Sequence, residues 1–198
     1  MWWTELAEQA RGLDGLHGAI DPQASIAPDA TLKGRVSVGA GSRICAGAYI
    51  EGPVVIGRDC LIGNNAMIRG ATRIGDRTRV GFAAEIKNAI VGDDVAIGPQ
   101  CFVADSKVEE GAYLGAQVRT SNHRLDRRTV TVVVGDACVD TGLEKLGCLI
   151  GAHASLGVQV IVLPGRVIAP GTLFAPRITV ERNLPSGRYR LAQTLEAF

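Results

Sequence analysis

Residues 54–87 read VVIGRDCLIGNNAMIRGATRIGDRTRVGFAAEIK, and in them Ile56, Ile62, Ile68, Ile74, Val80 and Ile86 recur at every sixth position. Stepping backwards by six reaches Ile50, Ile44, Val38, Leu32, Ile26 and Ile20. Stepping forwards, one five-residue interval leads to Val91, Ile97 and Val103, and a second leads to Val108 and Leu114. The ladder breaks there and returns at Ile150, Leu156, Val162 and Ile168. An α-helix repeats its apolar face near 3.6 residues, so a period of six excludes one. The pattern reads as short strands joined by corners, each strand turning one large aliphatic side chain inward. Stacked coils of this kind let every strand pair with the coils above and below, about 4.8 Å away.

The remaining positions of the hexad agree. Four residues after most anchors stands a small or β-branched residue, among them Ser42, Ala48, Cys60, Ala66, Thr72, Thr78 and Ala84. Directly after many anchors comes glycine, as at Gly39, Gly57, Gly63, Gly75 and Gly81, which predicts corners with unusual backbone angles. Composition fits a turn-dense β architecture: 25 glycines and 5% aromatic residues in 198.

The same numbers exclude several function classes. With 46% hydrophobic and 21% charged residues the chain can bury a core and is not disordered. A net charge of +1 and a pI of about 7.7 argue against a whole-surface nucleic-acid binder. Mean hydropathy is +0.17 with no apolar run near the roughly 18 residues of a membrane span, so no membrane partner is expected. No basic stretch precedes an apolar run at the N-terminus, which points to a cytoplasmic protein. Cys45, Cys60, Cys101, Cys138 and Cys148 form no CxxC pair and read as reduced thiols, Cys60 and Cys101 in the small inward slot.

Three segments lie outside the ladder, and they divide the chain. Residues 1–19, with Trp2, Trp3 and Leu6 beside Glu5 and Glu8, predict a short amphipathic helix that caps the first open coil. Residues 20–175 form the β-helix, interrupted by an excursion over 119–149 that holds the extended run Val130 to Val134. Residues 176–198 form an arginine-containing tail.

The hexads identify the chain as resembling the left-handed parallel β-helix acyltransferases, an all-β fold in which three hexapeptides make one triangular coil. Within that superfamily, SNHRLDRRTVTVVV at 121–134, DTGLEKLGCLIG at 140–151 and VQVIVLPG at 158–165 resemble the acetyltransferase domain of the bifunctional sugar-1-phosphate nucleotidylyltransferase/acetyltransferases, particularly the archaeal type. The nucleotidylyltransferase half, with its glycine-rich nucleotide loop, has no counterpart in this sequence, so sugar-nucleotide synthesis is not expected. The resemblance implies a homotrimer with the site between subunits, acetyl-CoA or another acyl-CoA as cosubstrate, and no metal. It places Arg69 and Lys87 at the positions that bind the sugar phosphate, a role suited to directed cationic donors. It places Asn122 at the loop asparagine that holds the amino sugar, and Arg128 and Lys145 at cationic loop positions for the acyl carrier.

One departure is decisive for chemistry. The family's catalytic histidine stands in a G-H-x-x-Y stretch, and here the aligned residues are Gly98-Pro99-Gln100-Cys101-Phe102. His123, inside SNHRLD, resembles instead the N-H-R-x-D histidine of the hexapeptide sugar and antibiotic O-acetyltransferases, which acts as general base. Two readings stay open on sequence alone. One is an acyl-CoA-dependent transferase acting on a sugar phosphate or amino-sugar-like acceptor. The other is a catalytically silent hexapeptide protein that binds a sugar phosphate or nucleotide as a regulator or scaffold. The β-helical carbonic anhydrases need three converging histidines, and His17 lies too far from His123 and His153 along the stack.

Overall fold

The computed structural model describes residues 1–192 and has the expected architecture: a parallel β-helix whose three sheets carry nine, eight and seven strands. Register follows the ladder. Ile50 pairs with Ile68 and Ile68 with Ile86, while Ile44 pairs with Ile62 and Ile62 with Val80. The anchors from Val38 to Ile168 are at most 3% exposed, so like residues stack on like down the prism axis. The small inward slots hold Ser42, Thr72 and Thr78, whose hydroxyls donate to the carbonyls of Gly57, Arg69 and Gly92. A polar atom can sit in this core because each is satisfied there. Cys60 and Cys101 occupy the same slots, and burial pushes both thiols up.

The glycine that follows many anchors has a different cause from the one the sequence implied. Gly63 does not adopt a positive φ; a Cβ there would stand 2.7 Å from the Val80 carbonyl oxygen of the next coil. Close approach between coils excludes a side chain at that position. The left-handed residue is the one two places on, as at Asp59, Asn65 and Arg77.

α1 (Trp2–Leu13) forms as expected but does not cover the first coil. It lies along the flank of the prism. Its C-terminal end meets Arg35, which donates to the Asp14 carbonyl, and Gln9 Nε2 donates to the carbonyls of Ala71 (3.1 Å) and Ala89 (3.2 Å). At its N-terminal end Glu5 meets Lys107 at 2.7 Å. The reason for the flank position is a second apolar cluster. Trp2 and Trp3 bury themselves against Val130, Val132 and Leu146 of the excursion, with Leu149 and Val167 from the outer face of one sheet. The first coil stays open: Ile20 is 45% exposed, and Ile26 and Leu32 are half-buried.

The other two boundaries also shift. Arg119–Thr120 is still a coil strand, paired to Phe102 below and to Ile161–Val162 above. The excursion then builds an antiparallel hairpin from Thr131–Val134 and Ala137–Asp140, turning at Gly135 with φ +58°. Beyond residue 175 the coils continue: Thr179–Val180 pairs with Ile161–Val162, and Arg188–Tyr189 with Leu173–Phe174. Tyr189 stacks on Phe174, ring centroids 5.1 Å apart, so the first part of the expected tail closes the prism top. Residues 193–198 of that tail lie outside the described residues. Among the described residues no helix is long and apolar enough to cross a membrane.

Candidate functional site

The two five-residue steps of the ladder fall at one corner of the prism. In the coil of Arg69 two residues, Gly70 and Ala71, separate it from the next inward slot at Thr72. In the following coils Asn88 alone stands between Lys87 and Ala89, and Asp105 alone between Ala104 and Ser106. A one-residue corner needs the left-handed region, and Asn88 (φ +46°) and Asp105 (φ +48°) are residue types that tolerate it.

Asp105 gathers its surroundings. Its Oδ1 accepts from Asn88 Nδ2 at 3.0 Å, its Oδ2 accepts from Asn122 Nδ2 at 2.5 Å, and Lys87 Nζ lies 3.8 Å from Oδ2. The Lys87 and Asp105 side chains are only 18% and 13% exposed, so this ion pair is shielded from solvent. The backbone joins in: Gly147 N donates to the Asp105 carbonyl at 2.8 Å, and Leu146 N to that of Asn122 at 3.0 Å. Both ends of the excursion are therefore fastened at this corner.

Arg69 sits directly in register with Lys87, one coil away. Its guanidinium turns to Glu85, with Nε and an Nη at 2.9 and 2.7 Å from the same carboxylate oxygen. Lys145 lines a cavity of about 200 Å³ with Trp3, Leu6, Asn88 and Asp105, on the α1 side of the corner. Lys87 and Asn122 thus meet on Asp105, with Arg69 and Lys145 flanking them.

His123 and Arg128 are not part of that cluster. His123 is exposed and lines a separate open groove of about 560 Å³ with Arg124, Leu163, Pro164 and Arg166. Arg124 grips Asp126 at 2.5 Å and holds its carboxyl well below the usual carboxylate range. Arg128 is exposed, and its backbone N–H donates to Asp126 at 3.2 Å. Arg166 aims its donors at the carbonyls of Pro164, Glu181 and Thr131, and burial, with Arg124 adding, pushes its pKa down.

The corner that holds Pro99 carries no acid–base side chain. Gln100 follows it at φ +57°, and an amide ladder climbs from there: Gln117 donates to Gln100 at 2.9 Å and Gln159 to Gln117 at 2.8 Å. Among the described residues no cluster of three or more His, Cys, Asp or Glu is placed to hold a metal.

Sequence reasoning missed Asp105, Glu85 and Arg166. Asp105 had a signal, since each shortened step of the ladder marks a one-residue corner. Glu85 had none, because on a coil face it reads as a solvated charge; Arg166 had one, since it stands four residues after the Val162 anchor, where the hexad calls for a small side chain.

Coils, corner and loop define the class: a left-handed β-helix protein of the hexapeptide acyltransferase superfamily. The chain is 59% identical over 162 residues to an uncharacterized acetyltransferase YaiX of Escherichia coli, covering 82% of this chain and 70% of that protein. It belongs to that acetyltransferase family. It is 31% identical over 107 residues to a bifunctional sugar-1-phosphate nucleotidylyltransferase/acetyltransferase of Sulfurisphaera tokodaii, which spans 54% of this chain and 27% of that one. The family model described as the GMPPB C-terminal domain matches residues 17–108. Among solved structures, the UDP-N-acetylglucosamine acyltransferase from Campylobacter jejuni aligns over 82% of this chain and 69% of that one, at 18% identity and a TM-score of 0.36.

Proposed function

We propose that the protein is a cytoplasmic acyl-CoA-dependent transferase acting on a small sugar phosphate or amino-sugar-like acceptor, in a site between subunits of a homotrimer. The observation that carries this reading is the convergence of Lys87 and Asn122 on Asp105, with Arg69 in register on the adjacent coil. Arg69 and Lys87 would hold the phosphate, Asn122 the sugar, and Arg128 and Lys145 the phosphates of the carrier. Met67, Tyr113 and Ile161 are 38–52% exposed on the two sheet faces that α1 and the hairpin leave bare, with Phe82 exposed at a corner beside them, which suits packing against a second copy.

His123 is the proposed base. Its imidazole takes the proton from the acceptor hydroxyl or amine as that atom bonds to the acyl carbon. The carbon–sulfur bond then breaks, and the imidazolium returns the proton to the departing CoA thiolate. His123→Ala is expected to lower turnover by about 10²–10⁴ while leaving acyl-CoA affinity nearly unchanged.

Acetyl-CoA at a hundredfold excess over its dissociation constant should stabilise the protein by about 2.7 kcal/mol. Absence of any shift with acetyl-CoA and longer acyl-CoAs would sink the transferase reading. A sedimenting species of one chain, rather than of three times 20.8 kDa, would sink the shared site. Arg69→Ala should weaken a phosphorylated acceptor by about 1.5–3 kcal/mol. Glu85→Gln should strengthen it, because a phosphate must otherwise displace the Glu85 carboxylate from Arg69.

Two observations favour the silent-binder reading. Pro99 and Phe102 supply neither the base nor the hydroxyl of the family, and both Arg69 and Lys87 are already paired within the chain. Acceptor binding without turnover in the His123 protein and in a Pro99→His/Phe102→Tyr variant alike would decide for it.

A further inference from the structure

The prism alone does not fix the excursion. From Ser121 to Leu146 the chain leaves the coils, and that stretch carries Asn122, His123, Arg128 and Lys145. Its geometry must be set where it departs and where it returns, and both places lead to one residue. On departure, the Asn122 amide donates to Asp105 Oδ2 at 2.5 Å. On return, Gly147 N donates to the Asp105 carbonyl at 2.8 Å, next to Leu146 N on the Asn122 carbonyl at 3.0 Å. The same Oδ2 faces Lys87 Nζ at 3.8 Å, and Oδ1 is held by Asn88 at 3.0 Å. Asp105 itself cannot wander, because its backbone N–H donates to the Lys87 carbonyl at 2.9 Å and its inward neighbours Ala104 and Ser106 are fully buried.

We propose that Asp105 is the positioning residue of the site: on a rigid one-residue corner its carboxylate orients Asn122 and Lys87 together, fastening the departing end of the excursion, while its backbone carbonyl receives the returning end. This rests on the reading that Lys87 and Asn122 hold the acceptor. Asp105 does not itself contact the acceptor. It acts through its partners, and its negative charge matters because Lys87 is largely shielded from water and has this carboxylate within 4 Å.

The test compares three proteins: Asp105→Asn, Asn122→Ala and the two changes combined. Asparagine suits the left-handed corner, retains one carbonyl acceptor and removes the charge. Asn122→Ala cuts the same tie from the loop side and leaves the coils untouched. The first readout is amide exchange of residues 121–129 and 143–147, together with tryptic cleavage after Arg124, Arg127 and Arg128. Each single change should speed both by about tenfold or more, and the double variant should be no faster than the quicker single one, as expected for two halves of one interaction. Melting temperature, set by the coil stack, should move by no more than about 3 °C. Unchanged loop exchange in Asp105→Asn, or effects that simply add in the double variant, would overturn the assignment. So would a large fall in melting temperature with the loop opening only on global unfolding.

The second readout is the dissociation constant of glucosamine-1-phosphate by calorimetry. It should rise about tenfold or more in Asp105→Asn while that of acetyl-CoA stays within about twofold, a split that general destabilisation would not produce. Unaltered glucosamine-1-phosphate affinity in a loosened Asp105→Asn loop would overturn the positioning role. An unmutated protein that binds no glucosamine-1-phosphate would instead overturn the assignment of Lys87 and Asn122 to a sugar-phosphate acceptor, and the exchange data would still decide whether Asp105 fastens the loop.

Discussion

Inside the prism Ile50, Ile68 and Ile86 stack in register, each repeating the contact made one coil below. Outside it Trp2 and Trp3, set edge to face with centroids 5.9 Å apart, meet Val130, Val132 and Leu146 from a segment more than a hundred residues away. Both clusters bury apolar surface, but they specify different things. The inner one repeats, so every coil supports its neighbours and no single contact defines the shape. The outer one occurs once. It holds the excursion against α1, and with it the loop that carries Asn122, His123 and Lys145. Repetition makes the scaffold, and the unrepeated cluster orders the candidate site.

The contrast is broken most severely from inside. Ile68→Ala leaves a hole between Ile50 and Ile86 and should cost about 2–5 kcal/mol in denaturant unfolding. Trp3→Ala should remove about 3 kcal/mol, but from the loop rather than the stack. Exchange over residues 121–147 should therefore accelerate while the unfolding midpoint of the coils moves much less. Equal effects of the two changes on both readouts would mean that the two clusters form a single cooperative unit.

A smaller effect sharpens the account of how tightly the coils approach. Gly63→Ala places a methyl 2.7 Å from the Val80 carbonyl oxygen and 2.9 Å from the Gly81 carbonyl carbon. Neither is a flexible side-chain end, so about 1–3 kcal/mol of overpacking is expected, measured by the same unfolding experiment. A neutral result would show that the stack can open locally by a few tenths of an ångström.

The gentlest probe is chemical. A thiol-specific disulfide reagent at mildly alkaline pH should find Cys138 on the hairpin and, more slowly, the half-buried Cys45, leaving Cys60, Cys101 and Cys148 until the protein is unfolded. Burial raises the Cys148 thiol from its ordinary 9.0 to about 12. Because the folded value lies above the unfolded one, its contribution to stability is complete below pH 9 and is lost as pH climbs towards 12. Prompt reaction of Cys148 in the native protein would contradict a dry inner core.

What the sequence makes legible follows from the same contrast. Hexad anchors, small slots and the adjacency of Arg69 and Lys87 are read by counting, because a stack with a constant coil length turns sequence spacing into spatial register. Counting fails where the period fails. Trp2 and Trp3 mark a face of α1 that must be buried, but nothing local says that Leu146 is its partner. The hairpin had a signal in Gly135-Asp136 between two β-forming runs, of which only the first was read as extended. Asp105 is harder, since an aspartate at a corner ordinarily points to water. Its meaning appears only when the missing residue beside it is noticed.

The flank position of α1 sets a limit on how this protein can change. A solenoid is in principle free to gain or lose a coil by duplication or deletion of about 18 residues, each new coil stacking as well as the old. Here α1, about 14 Å along its axis from Glu5 to Asp14, reaches from the Arg35 coil to the Lys107 coil, four coil spacings or about 19 Å away, with the long Arg35 and Lys107 side chains making up the difference. Insert one coil between them, and Glu5 no longer reaches Lys107 when Asp14 reaches Arg35. The two tryptophans then fall a full spacing short of Leu146. The helix works as a ruler laid against an otherwise extensible stack, and it ties the number of lower coils to the survival of the loop. Descendants of this gene can lengthen above the excursion or below Arg35, but between those points the count is locked.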